Sequence, residues 1–409
     1  MQFRIVLLLT ICVSTGFAHA GDWPQILGPN RNGIAPADEK LADFWPAGGP
    51  KLAWSRSVGS GFGGIAVSKG NAVLFHRDSD DLIVESMDAK TGDIKWTKKF
   101  PTSYQTGFSN DSGPRCTPLI HGGNVYVYGP QGGLHCLSMS NGKVIWSRKT
   151  HDDFNAPEGY FGAGSTPIVE GDNIIVNVGS REGAGIVAFK LDKGTIAWKV
   201  SNEHASYSSP VAATVDGKRN VIFVTRLKTV SVDPANGKIQ FEFPFGRRGP
   251  TVNASSPIVF DGHLFVTSHY GVGAVYAKLS GQGQQTLWSS DELLSMHYMT
   301  PIVHKGLIYG VHGQERATGA VLRCIDPKTQ KVVWEKRGYD YGSMLLADGK
   351  ILFVTTTGGL TMFKASPQGY QQLASTQLFR GVTRALPALS NGLLYVHGGG
   401  QLKCVRVGK

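Results

Sequence analysis

Beyond its opening residues the chain has no apolar run long enough to span a bilayer as a helix, so the remainder is not an integral helical membrane protein. It also lacks a Pro/Ser-rich linker, a block of like charge or any shift in composition, so nothing marks a boundary between two ordinary domains. Its 12 histidines form no His-x-x-x-His or His-Glu-x-x-His pair. No Gly-x-Ser-x-Gly elbow or phosphate loop stands in a suitable context. Cysteine is scarce, 5 in 409 residues, and no two cysteines are adjacent.

The opening residues run from Arg4 through Ile5-Val6-Leu7-Leu8-Leu9 to Ala18-His19-Ala20. A basic start, a short apolar core and a small-x-small site read as a signal peptide over 1–20, cut after Ala20. The expected product is exported, periplasmic or secreted. Lipidation at Cys12 is not expected, because Ile11 stands where a small residue is required. The formal charge of +11 is scattered along the chain, which argues for a soluble basic surface and against a nucleic-acid partner.

A single ordinary core stops growing well before this length, so an undivided chain must repeat. The unit is legible. Asp88-Ala89-Lys90-Thr91-Gly92-Asp93-Ile94-Lys95-Trp96 is its clearest copy, echoed at 140–146, 192–198, 233–241, up to Trp288, and 326–334. Asp hydrogen-bonds the turn backbone, Gly accepts positive φ, and the hairpin places an aromatic on the outer strand. Upstream of most copies lie two further strand-like runs, opened by Thr117-Pro118, Thr166-Pro167, Ser209-Pro210, Ser256-Pro257, Thr300-Pro301 and Leu386-Pro387. Proline is tolerated at the start of a strand, so these pairs mark the innermost strands. Four strands per unit give propeller blades.

The aromatic positions are Trp54, Trp96, Trp146, Trp198, Phe241, Trp288, Trp334 and a degenerate one near Leu373. Trp54 lacks three strands before it, and 386–407 supplies three strands without a fourth. The two ends therefore complete one blade together. The expectation is an all-β, eight-bladed propeller of four-stranded antiparallel blades, with seven as the alternative count if the copy at Leu373 is discounted. Residues 51–409 form the ring, and 21–50 is an extension pinned on it by Trp23 and Trp45.

The Asp-x-x-Thr-Gly-x-x-x-Trp repeat resembles that of PQQ-like (pyrroloquinoline-quinone-like) propellers, over essentially all of the chain after residue 20. That family includes quinoprotein alcohol dehydrogenases and BamB-like assembly factors of the outer membrane. The stretch Trp23-Pro24-Gln25-Ile26-Leu27-Gly28-Pro29-Asn30-Arg31-Asn32-Gly33 is similar to a leader found before such propellers in exported bacterial proteins. The resemblance implies PQQ with Ca²⁺ as the cofactor pair of an enzyme reading. It also implies, for quinoprotein alcohol dehydrogenases, a disulfide between adjacent cysteines, which this chain lacks. Cys136, Cys324 and Cys404 occupy a strand slot that elsewhere takes Ser or Ala, as expected of small core residues. Cys116 and Cys136 lie two strands apart, about 10 Å, too far to bridge. Free, inert thiols are expected.

Propellers present ligands at the channel mouth, on the loops that enter the innermost strands. Those loops carry Arg115, Tyr160, His204, Tyr207, Arg247, Arg248, Asn253, His297, Tyr298, Tyr341, Arg380 and Arg384. Arginines with aromatics suit a planar anionic small molecule; the alternative is that they are loop residues paired with Asp111, Glu158 and Asp340. No catalytic residue and no metal set is identified by spacing. Asp78-Ser79-Asp80-Asp81 reads as a hairpin tip, because the alternating ligands and turn glycine of a calcium loop are missing.

Three readings follow, in this order: a BamB-like scaffold, expected to be monomeric, that binds envelope proteins; a quinone-dependent dehydrogenase of an alcohol or sugar; and a glycan-binding protein. The third is limited by the number of tryptophans already assigned to packing between blades.

Overall fold

The computed structural model describes residues 21–315 and 319–409. Its strands form eight four-stranded antiparallel sheets arranged as a propeller. Seven blades are continuous, at 65–101, 119–149, 168–200, 211–244, 258–290, 302–337 and 342–377. The eighth joins Ala388–Ser390, Leu393–Gly398 and Gln401–Arg406 to Lys51–Ser57 as its outermost strand, which closes the ring.

The repeated turn behaves as its residues require. Asp88 Oδ1 accepts the Lys90 and Thr91 amides at 2.9 and 3.2 Å, and Gly92 turns the chain at φ 78°. One residue beyond the turn, each blade shifts register where its third and fourth strands pair, as between Ser86 and Met87 or Cys136 and Leu137. Such a bulge twists the outer strand and re-aims its side chains. The aromatic beside the bulge then faces the neighbouring blade.

What it meets there is the next blade's turn. Trp54, Trp96, Trp146 and Trp198 donate their indole N–H to the carbonyls of Ala89, Met139, Leu191 and Pro234 at 3.1, 2.8, 2.8 and 3.0 Å. Trp288 and Trp334 do the same to Pro327 and Ser366. The turn glycine is what makes room: a Cβ on Gly194 would lie 2.6 Å from the Trp146 ring. Six of the eight tryptophans are buried and two, Trp198 and Trp334, are half-buried.

Two seams depart from this pattern. Phe241 has no N–H to donate, and the Gly281 amide instead donates to Asp216 of the preceding blade at 2.7 Å. In the seventh blade the aromatic slot holds Ala374, opposite Met362, rather than Leu373. There the extension intervenes. Leu41 and Ala42 bond to Asp348 of the seventh blade and Val407 of the eighth, and Trp45 is buried in the cluster that Leu373 and Ala374 pack against.

The remaining cysteine positions are explained by rows across the blades. Tyr126–Cys136–Trp146, Tyr309–Cys324–Trp334 and Tyr395–Cys404–Trp54 are directly opposed on neighbouring strands. A small sulfur fits between two large rings. All four described thiols are free and buried, and burial pushes Cys116, Cys136 and Cys324 up to about 11 and Cys404 to about 12.

Three outcomes are expected. Trp146→Phe, which removes one seam hydrogen bond, costs about 1 kcal/mol in urea unfolding. Gly194→Ala costs more than about 1 kcal/mol, because φ 65° and the indole both oppose a Cβ; a neutral result for the alanine would show that the turn does not seat the ring. Ellman's reagent should find no reactive thiol in the folded mature protein and four after denaturation.

Candidate functional site

The loops over the channel are set by a belt of hydroxyls around the innermost strands. Thr117 Oγ1 accepts the Gly64 amide, Thr166 Oγ1 accepts that of Thr117, and Ser209 Oγ accepts that of Thr166, each at 2.9–3.0 Å. Thr300 Oγ1 likewise accepts the Ser256 amide. At four of the six prolines the hydroxyl residue before it therefore ties one blade to the last, a role that the proline signal alone does not reveal.

The far end of the channel is closed by the extension. Trp23 pairs with Val67 through both backbone bonds, Pro24 accepts the Ile120 amide, and Gly33 and Ala35 bond to Leu346. Arg31 is buried and donates to the carbonyls of Thr166 and Pro167 at 2.9 Å, and burial pulls its pKa down to about 9. Ile26 from this segment floors a cavity at the opposite, open mouth.

That mouth cavity has a volume of about 320 Å³. Its walls include Phe62, Phe108, Phe161, Tyr207, Tyr270 and Tyr298. The Arg115 and Arg384 guanidiniums lie 4.5 and 5.0 Å from the centroid of the Phe62 ring. Neither is free: Arg115 pairs with Asp111 at 2.7 Å, and Arg384 with Glu315 through a bidentate contact at 2.9–3.2 Å. His297 Nε2 bonds the Tyr270 hydroxyl at 2.6 Å; among the described residues His297 Nδ1 is buried without a hydrogen-bond partner, and the buried Tyr298 Oη lies near the Glu315 carboxylate. Burial, then His269 and Arg384, bring the His297 pKa down to about 4. Burial, then the Glu315 charge, hold the Tyr298 hydroxyl well above its usual range.

Of the residues singled out in the sequence, Arg115, Tyr207, His297, Tyr298 and Arg384 meet around this cavity. Tyr160, His204 and Asn253 line a neighbouring one of about 250 Å³, with Tyr207 between the two. Several serve the loops themselves. The Tyr341 hydroxyl accepts the Tyr298 and Met299 amides at 2.9 and 3.0 Å, and Tyr207 accepts that of Phe161 at 2.8 Å. Asn253 donates to the Thr225 carbonyl at 2.9 Å, and His204 Nδ1 lies 2.9 Å from the Gly179 carbonyl. Arg247 and Arg248 are exposed and outside both cavities; Arg380 is exposed on another surface recess. Asp340 accepts a bond from Thr357 instead of an arginine. Phe62, Phe108, Tyr270 and Glu315 were not among the candidates. Phe62 sits in the glycine-rich entry to the first blade, Phe108 lies just ahead of a loop considered, and Tyr270 and Glu315 lie on turns between second and third strands.

The mouth does not fit PQQ with Ca²⁺. Asp111 and Glu315 already face arginines, Asn253 holds backbone, and although Glu158 lines the neighbouring cavity, among the described residues no three His, Cys, Asp or Glu side chains gather as a metal site. A polyanionic quinone would also find both mouth arginines neutralised.

The family model described as outer membrane protein assembly factor BamB matches residues 80–336, more than half of the chain. BamB of Yersinia pestis is 22% identical over 329 residues, covering 75% of this chain and 80% of that protein. Among solved structures, BamB from Moraxella catarrhalis superposes with a TM-score of 0.64 at 15% identity, covering 87% of this chain and 96% of that one. The quinohemoprotein alcohol dehydrogenase from Comamonas testosteroni gives 0.65 at 15% identity, covering 95% and 81%. At such identities these two likenesses speak for the fold alone.

Because the folded-state pKa of His297 lies below the ordinary 6.5, the unfolded chain binds more protons in mild acid. His135, His151 and His312, also brought to about 4 chiefly by burial, act in the same sense. Their contribution to stability is complete above pH 6.5 and is lost as pH falls toward 4. Thermal unfolding should show the midpoint falling across that window, and less steeply in His297→Asn; an unchanged slope in the variant would mean that His297 titrates alike in the folded and unfolded chain.

Proposed function

The chain belongs to the family of the outer membrane protein assembly factor BamB, and from that premise we propose that it is an exported scaffold whose propeller holds protein partners in the cell envelope. The observation that carries the reading is the mouth: a ring-lined bowl on a rigid frame, its charges cancelled in pairs, its far end stoppered by the chain's own extension. Among the described residues no metal-binding cluster gathers there, whereas exposed Phe108, at 63%, stands over a ring-lined recess as a protein-contact surface would.

Export is supported by the leader and by how the chain begins after it. Gly21 is buried and its carbonyl accepts a bond from Ser390, while Asp22 accepts Ser68 Oγ and the Lys69 amide at 2.7 and 2.9 Å. Cleavage after Ala20 would leave a terminus that seats at once on the first and eighth blades. No helix among the described residues is long and apolar enough to cross a membrane.

A photo-crosslinking residue at Phe108 should give a discrete protein adduct in envelope fractions, and one at Leu287 on an outermost strand should not. The mature protein isolated from those fractions should begin at Gly21 by mass. Saturable binding of PQQ with Ca²⁺, coupled to dye reduction by an alcohol, would overturn the scaffold reading.

A further inference from the structure

The mouth cavity, at about 320 Å³, lies at the lower end of the roughly 300–1,000 Å³ that small-molecule sites occupy. Besides its rings it is lined by three hydroxyl residues, Ser256, Thr300 and Ser343. Ser256 and Thr300 stand before the prolines that open two innermost strands, and Ser343 holds the matching position in the next blade, within Gly342–Ala347. The Thr300 hydroxyl accepts the Ser256 amide and keeps its own proton to give. Among the described residues the Ser256 and Ser343 hydroxyls have no hydrogen-bond partner, and each residue keeps a little surface open, at 4%, unlike the sealed His297 Nδ1.

Arg384 and Glu315 line the same cavity, with 24% and 9% of their side-chain surface open. A guanidinium has only donors to give and a carboxylate only acceptors. Held against each other, the two offer a donor beside an acceptor, which is what two neighbouring hydroxyls require when one accepts and the other donates. No net charge goes with them. Arg115 is likewise paired with Asp111, and His297, brought down to about 4, is neutral at pH 7. An anionic or cationic ligand therefore meets only charges that are already compensated. A purely apolar ligand would take water from the serine hydroxyls and from the ion pair without replacing its bonds, a cost that opposes the burial of the rings.

We propose that the mouth cavity binds an uncharged sugar in its ring form, with the C–H faces of the sugar on the aromatic walls and its neighbouring hydroxyls bonded to Glu315, Arg384 and the serine hydroxyls. Such a ligand is apolar on its faces and both donates and accepts around its edge, so it satisfies rings, hydroxyls and ion pair together. The inference goes beyond the scaffold reading and does not depend on it.

The test is a calorimetric titration of the purified mature protein with the methyl pyranosides of glucose, galactose, mannose and xylose. At least one should saturate at one to one. Ser343→Ala should weaken that sugar about fivefold, the factor that one neutral hydrogen bond supplies, and leave the unfolding midpoint in place. Methyl glucuronoside, the acidic counterpart, should not bind the unaltered protein. Glu315→Gln, which frees the Arg384 charge, should reverse the preference: it gains the glucuronoside and loses the neutral sugar by more than about tenfold. The proposal fails if no pyranoside saturates, if the glucuronoside binds the unaltered protein more tightly than the neutral sugars, if benzyl alcohol binds as well as they do, or if Ser343→Ala leaves the affinity unchanged. A disaccharide titrated beside its methyl glycoside tells the end of a glycan from a free sugar. The titration needs no partner protein, so its failure beside a crosslinked adduct at Phe108 sinks this inference alone, and a saturating sugar without an adduct sinks the scaffold reading alone.

Discussion

The structure depends on a single contact made at most of its seams: an indole on the outer strand of one blade, seated over the turn glycine of the next, donating to that turn's carbonyl. The contact couples local to global order. The Asp and Gly that shape the turn also create the acceptor and the space, so each hairpin is completed only by its neighbour. A blade by itself leaves its tryptophan exposed and its turn unfilled, which is why such a fold needs its whole ring. Where the aromatic is reduced to Ala374, the seam is bridged by 41–45 of the extension, and Trp45 joins the cluster there. The ring is thus closed twice, by Lys51–Ser57 completing the eighth blade and by the extension across the seventh and eighth.

Most of this architecture was legible because the turn chemistry is local. Asp-x-x-Thr-Gly and the aromatic after it fix a hairpin without reference to the rest of the chain, and the unmatched strands at the two ends require the closure observed at 51–57 and 388–406. The bulge beside every aromatic was not legible, since it is a backbone register shift with no residue type of its own. Nor was the hydroxyl belt. Thr117, Thr166, Ser209 and Thr300 stand beside prolines that mark strand starts, but what a hydroxyl bonds to across a seam is a tertiary fact.

The site was less legible, for a physical reason. Irregular loops carry backbone amides and carbonyls that no ladder satisfies, and once buried these need partners. Tyr341, Tyr207 and Asn253 supply them, so polar residues that looked free for a ligand are spent on holding the loops. Arg115 and Arg384 are neutralised for a related reason, because a half-buried guanidinium is stable only beside a carboxylate or comparable acceptors. Asp111, four residues from Arg115, could be foreseen as a partner; Glu315 could not, since it stands far along the chain on a turn of a different blade.

Charge and shape together then divide the surface. The outermost strands are the open edges of the sheets and are the places where another chain could add a strand. Ile94–Pro101 carries Lys95, Lys98 and Lys99, Val144–Lys149 carries Arg148 and Lys149, and Lys331–Arg337 is basic at both ends. Lysine along an edge keeps unrelated strands from pairing with it, which gives much of the scattered positive charge a structural purpose without a nucleic acid or a membrane. With those edges guarded and the extension bonded to the far ends of the innermost strands, the mouth is where the molecule gathers an exposed ring, Phe108, over a ring-lined recess, and it is there that recognition belongs.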